Sequence, residues 1–516
     1  MSKKGVSLIR VVVWGLFFCF VSSVFASYRM PKRRKVSAKY NKFVQKVLVA
    51  VHTGDIGFIR SRITSNNVNK QCSDYGLSLL HYACKTENPK DEMIRYLIRI
   101  GAEIDNVDIN GRTPLDYLYR NQKLTPDIAK NILPDLVEHP KFDPNRLLIT
   151  KGVNLKIIYL VFKLMAHKKS EKINYEGELG YTPLALACKN KGKNFIRFLL
   201  DNGAKESIAK PSSNKFCMRK GITALHLACM HQGHEVVAGL IARGGRQAMH
   251  APMKNGDTPF SIACRHQKDI KSIVCLIESG ANIKLKQSVT QRTPLHELCT
   301  NKHINCDMLK LLLSSGVDPN SLDRFEETPL HLLLKNKNAK LDIIKLLTSC
   351  MSSKAINKKS KKSHTPLTLA CRFTSPEIIV NIMPECKETV LVQDDLGRTP
   401  LHLALQYQTK EVVAVLLQSG AMQSIRTKDV YGKAPVYYIT ESLQQHKDVL
   451  IFIFLQLLGF SKNYFVVVQN WLDKLLRQLN SNPLRMQELF EKIGDIHLHK
   501  LKASLHDKFE AANRAK

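Results

Sequence analysis

Apolar residues along most of this chain fall into pairs of short helical windows separated by turn residues. Residues 255–282, NGDTPFSIACRHQKDIKSIVCLIESGAN, set out one such unit. Asn255-Gly256 reads as a turn, with Gly tolerating positive φ. Thr258 is placed to cap the helix that follows, and Pro259 suits its first turn because that amide needs no helical acceptor. Phe260, Ile262, Ala263 and Cys264 then predict a short inner helix, small where neighbours must approach. A second window predicts an outer helix with Ile270, Ile273, Val274, Leu276 and Ile277 as its buried stripe. Gly280 is expected to end it in the left-handed conformation. Two short antiparallel helices cannot bury both apolar faces alone, so the unit needs a copy on either side.

The copies are present. The capping phrase returns nine times, at Ser78, Thr113, Thr182, Thr223, Thr258, Thr293, Thr328, Thr365 and Thr399. From Thr223 the steps are 35, 35, 35, 37 and 34 residues, and the first step is also 35. A fixed period in this range marks a stacked repeat array. The 69 residues from Thr113 to Thr182 leave room for one degraded unit over 143–175, with Ile157, Ile158, Leu160, Val161 and Phe162 on its outer helix. Residues 41–65 read as an opening cap, and a weak final unit begins near Gly432-Lys433-Ala434-Pro435. The 41-residue step from Thr182 places an extended loop within Ile208 to Arg219, either a contact point or a neutral insertion.

Glycines close the outer helices at Gly101, Gly203, Gly280 and Gly420, with Gly244 and Gly316 as variants, and His follows the cap at the third position as His81, His226, His296, His331 and His402. This pattern closely resembles the ankyrin repeat over about residues 40–460. The resemblance implies an all-α solenoid with hairpin-like loops, inner helices on a concave face and outer helices on a convex one. It also implies that each histidine hydrogen-bonds between neighbouring loops, and copies a whole repeat apart are not metal ligands. Residues 461–516 follow a different rule. Val466, Trp471, Leu472, Leu475, Leu476 and Leu479 predict one amphipathic helix, Asn480 to Pro483 breaks it, and Met486, Leu489, Phe490 and Ile493 continue on another. A helical C-terminal cap protecting the last repeat is the plain reading; an independent docking or effector domain is the sharper one.

Charge and cysteine use narrow the setting. The 516 residues carry 78 Lys and Arg against 44 acids, a net +34 that bears on partners and solubility rather than fold. Six of 13 cysteines (Cys84, Cys188, Cys229, Cys264, Cys299 and Cys371) sit six residues after the cap, as a small buried position shared by successive repeats would. Neighbouring stacked helices lie roughly 10 Å apart, beyond the roughly 7 Å that a disulfide spans between Cα atoms, so these thiols are expected to stay unpaired. Residues 1–26 have the basic start, apolar run and Val24-Phe25-Ala26 end of a secretory signal peptide; a short uncleaved membrane anchor is the alternative. A basic linker over 27–40 follows. Its Lys32, Arg33, Arg34 and Lys35 are similar to a nuclear-import signal, or form a solvated flank.

Function is then expected in a surface. The seventh residue after each cap is Lys85, Arg120, Lys189, Met230, Arg265, Thr300, Lys335, Arg372 or Gln406, six of nine being cations. The residue after it is Thr86, Asn121, Asn190, His231, His266, Asn301, Asn336, Phe373 or Tyr407. Stacking would align these into a basic, hydrogen-bonding strip suited to an acidic protein segment; alternatively, the cations answer the helix dipole. Nucleic acid is the rival ligand, without a recognised binding motif or aromatic stacking platform. Membrane contact is expected only from an uncleaved N-terminus. No nucleotide-binding, metalloprotease, hydrolase or kinase motif occurs, so a monomeric, non-enzymatic scaffold without cofactor or metal is expected.

Overall fold

The computed structural model describes residues 38–440 apart from 73–74, 151–152, 169–170, 178–179 and 214–219, together with 451, 453, 469–470 and 495–514. Among the described residues every regular element is helical. The chain divides into two compact units, residues 1–164 and 165–516, and the dividing point falls within the degraded repeat.

The first unit opens with helices Ala38–Thr53 and Ile56–Arg62. Val47, Val51 and Ile59 are buried there, whereas Phe43, whose ring the apolar pattern would place inside, stays 37% exposed. Two regular hairpins follow, Leu79–Lys85 with Asp91–Arg99 and Pro114–Arg120 with Pro126–Glu138. The degraded repeat keeps an inner helix of only five residues, Asn145–Ile149, before Leu155–His167 crosses the boundary. Ile157, Ile158, Val161 and Phe162 are buried as expected, with Leu160 only half-buried.

The second unit repeats the hairpin from Pro183–Asn190 with Lys193–Asp201 to Pro400–Tyr407 with Lys410–Gln418, and a further inner helix begins at Pro435–Thr440. The repeat read from sequence becomes Pro259–His266 and Ile270–Glu278. On the outer helix Ile273 and Leu276 are fully buried, but Ile270, Val274 and Ile277 are only half-buried. That stripe is narrower than the apolar pattern predicts.

Local chemistry sets the helix starts. Thr258 Oγ1 accepts from the Ser261 amide at 3.2 Å while Ser261 Oγ accepts from the Thr258 amide at 2.9 Å, a reciprocal cap. Pro occupies the first turn in seven of the nine capped helices, the exceptions being those after Ser78 and Thr223. The six shared cysteines are fully buried and free, and burial pushes their thiols well above the ordinary range, so they are inert packing groups. No described helix is long and apolar enough to cross a membrane. The helix Asp495–Arg514 ends the described chain; Lys32, Arg33, Arg34 and Lys35, residues 1–26 and the tail helices predicted between 471 and 493 lie outside the described residues.

Candidate interaction surface

The seventh position after each cap closes the inner helix, so its side chain emerges where helical carbonyls end. Lys85 and Arg120 in the first unit, and Lys189 and Arg372 in the second, are exposed there. None forms an ion pair among the described residues. Instead three of them lie against rings: Lys85 Nζ is 5.8 Å from the Tyr117 ring, Lys189 Nζ is 5.7 Å from Tyr181, and the Arg372 guanidinium is 5.1 Å from Phe373. Phe373 and Tyr407 are 46% and 50% exposed, and His231 and His266 are exposed as well.

Arg265 and Lys335 differ. The Arg265 guanidinium sets Nη1 and Nη2 on the Asp257 carboxylate at 3.2 and 3.0 Å and Nε on the buried Glu297. Lys335 donates to Glu327. Their charge is therefore engaged inside the array. The signal was in the sequence: an acid immediately before the capping Thr, eight residues ahead of the cation, as in Asp257–Arg265 and Glu327–Lys335.

A second set of residues in the strip is engaged inside the array. Asn121, Asn301 and Asn336 each turn the side-chain amide onto the inner-helix end of the preceding repeat. Asn301 Nδ2 donates to Cys264 O and Gln267 O at 2.8 and 2.9 Å, and Asn336 to Cys299 O and Asn301 O at 2.9 and 2.8 Å. Asn121 does the same for Cys84 O and Thr86 O. One position later, Gln232, Gln267 and Gln408 play the same part. These carboxamides satisfy helix-end carbonyls that a stacked array hides from water. Sequence reasoning missed them because donor and acceptor lie more than 30 residues apart.

The histidines form a second ladder. In all five, Nδ1 lies 3.0–3.2 Å from the cap residue's backbone N–H and accepts from it. That fixes the proton on Nε2, which donates to a carbonyl of the next loop at 3.0–3.2 Å: Arg112, Asp257, Glu327, His364 and Lys433. Burial pushes His226, His296, His331 and His402 down to about 4. With both nitrogens committed, none is free to ligate a metal. His364, Asp394 and Asp395 do bring ligand atoms within 4.8 Å of one another. Asp394, however, already accepts from the Arg398 guanidinium at 2.8 Å and from the Leu396 and Arg398 amides.

The repeat geometry, the reciprocal caps and the histidine ladder coincide with what family comparison finds. Ankyrin-repeat models match residues 75–106, 154–248, 240–323, 304–386 and 396–428, more than half of the chain. The chain belongs to the ankyrin-repeat family. Its repeats are similar to part of the SMC5-SMC6 complex localization factor protein 1 of Bos taurus, 33% identical over 87 residues, and of Homo sapiens, 32% over 84. Those alignments take in 17% and 16% of this ankyrin-repeat chain and only 8% of either relative. Ankyrin repeats are protein-interaction scaffolds, and the chain is one by its family.

Proposed function

We propose that this ankyrin scaffold is non-enzymatic and that each unit, taken by itself, receives an acidic protein segment along the ends of its inner helices. The observation that carries the reading is that Lys85, Arg120, Lys189 and Arg372 are exposed and in no ion pair among the described residues. Their charge is available to a ligand, whereas that of Arg265 and Lys335 is spent internally. The exposed Phe373 ring beside Arg372 adds apolar contact that a flexible acidic segment can cover.

The double variant Lys189→Glu/Arg372→Glu is expected to weaken binding of a 20-residue polyglutamate probe by more than tenfold at low salt and to flatten the salt dependence. Wild-type affinity in that variant ends the proposal. A gel shift with mixed DNA and RNA at the same protein concentration separates the rival ligand, since salt dependence alone does not.

The same reading takes residues 1–26 as a cleaved export signal, with the basic run Lys32, Arg33, Arg34 and Lys35 acting after delivery into a second cell. N-terminal sequencing of the chain recovered from culture medium is then expected to begin at Ser27. An intact Met1 in the membrane fraction would assign an anchor instead.

A further inference from the structure

On the outer-helix side of the second unit, Lys193–Asp201 lies beside His234–Leu240. A groove of about 350 Å³ opens between them, lined at its base by the edges of the buried side chains Ile196, Leu200 and Val236. One lining residue, Gly239, sets this wall apart from the other outer helices. Five other outer helices of this unit share the buried leucine at Leu199, Leu276, Leu312, Leu347 or Leu416, and the residue before it is Phe198, Cys275, Leu311, Leu346 or Val415. In this helix the buried leucine is Leu240 and the preceding residue is Gly239.

Neither sterics nor backbone conformation calls for glycine there. A Cβ at Gly239 would meet only the Arg243 guanidinium, at an ordinary 3.5 Å, and the position does not have positive φ. Glycine inside a helix costs roughly 0.5–1 kcal/mol relative to alanine. The chain forgoes that stability at a residue lining the groove.

The rim is charged unevenly. Lys193 bridges to Glu235 at 2.9 Å and Arg243 to Asp201 at 3.2 Å. Arg197, between them on the lining, is exposed and in no ion pair among the described residues. An apolar floor beside one such guanidinium is complementary to an apolar side chain with a carboxylate next to it. We propose that this groove docks a Leu-type side chain flanked by Asp or Glu on an acidic segment of a partner protein. It is a second binding face, independent of the inner-helix cations.

A displayed library of random 12-residue peptides, selected on the full chain and counter-selected on the Gly239→Leu variant, tests this. The enriched peptides are expected to carry Leu, Ile, Met or Phe within four residues of Asp or Glu. They should bind Gly239→Leu and Arg197→Glu at least tenfold more weakly than wild type, and Lys189→Glu/Arg372→Glu equally well. Gly239→Leu should melt no lower than wild type; if it fails to fold, Gly239→Ala with Arg197→Glu carries the comparison. The proposal is overturned if nothing is enriched, if the peptides are basic or neutral, or if Gly239→Leu binds them unchanged. Loss only in Lys189→Glu/Arg372→Glu overturns it too, as does a wild-type dimer in sedimentation that Gly239→Leu dissolves.

Discussion

Lowering the pH from 6.5 to 5 is expected to strip the second unit of on the order of 6 kcal/mol of stability, well before its carboxylates titrate. Four histidines there are held near 4 by burial, against an ordinary value of 6.5. A folded-state value below the unfolded one means the unfolded chain binds more protons in this window. Their contribution is therefore complete above about pH 6.5 and is lost as pH falls toward 4. Each such group carries about 1.4 kcal/mol per pH unit inside the window. The structural cause is that Nδ1 must accept and Nε2 must donate, so a second proton breaks the cap at one end of the ring. Urea midpoints by circular dichroism at pH 7, 6, 5.5 and 5 would follow the loss. His296→Gln should start less stable at neutral pH yet lose about a quarter less on acidification. A midpoint flat from pH 7 to 5 would sink the histidine ladder as a stabilising element.

The fold was legible because its signals are local. Thr-Pro-Leu states cap, first turn and core within three residues, and the glycine that ends the outer helix sits at φ +93° at Gly280 and +101° at Gly420, as the sequence reading expects. What was not legible depends on residues a repeat away. The turn glycine is replaced in three successive repeats by Gln291, Glu326 and Ser363, yet φ stays at 57–58°. Neighbouring loops hold the turn there, the Arg324 amide donating to Thr290 O and the Lys361 amide to Phe325 O. The candidate surface divides in the same way. Its register followed from the period, so Lys85, Lys189 and Arg372 emerge at equivalent places. Which cations are free of ion pairs followed only in part, from the acid that precedes the cap at Asp257 and Glu327. Arg265 is claimed by Asp257 and by Glu297, a carboxylate standing where other capped inner helices of the second unit bury Leu or Ile.

Glycines of the two kinds should respond very differently to a single methyl group. Gly256→Ala is expected to cost about 3 kcal/mol and Gly280→Ala about 1 kcal/mol. Both have positive φ, +84° and +93°, so an L-residue is strained at either. Around Gly280 nothing lies within 4 Å of an added Cβ, and the backbone strain is the whole effect. At Gly256 the Cβ would overlap the backbone nitrogen of Ser288, with Ser288 Oγ at 2.6 Å and Gln287 C at 3.0 Å. Those atoms belong to the next repeat's loop, and main chain cannot swing aside as a side chain does. Gly397 has the same relation to Asp429 and Val430, at 3.2 Å, and its alanine variant should rank between the other two. The penalty thus measures how closely successive loops are stacked rather than how well one turn is made. Urea denaturation of the three variants checks the order, and equal losses at Gly256 and Gly280 would mean that the loops are not held in register.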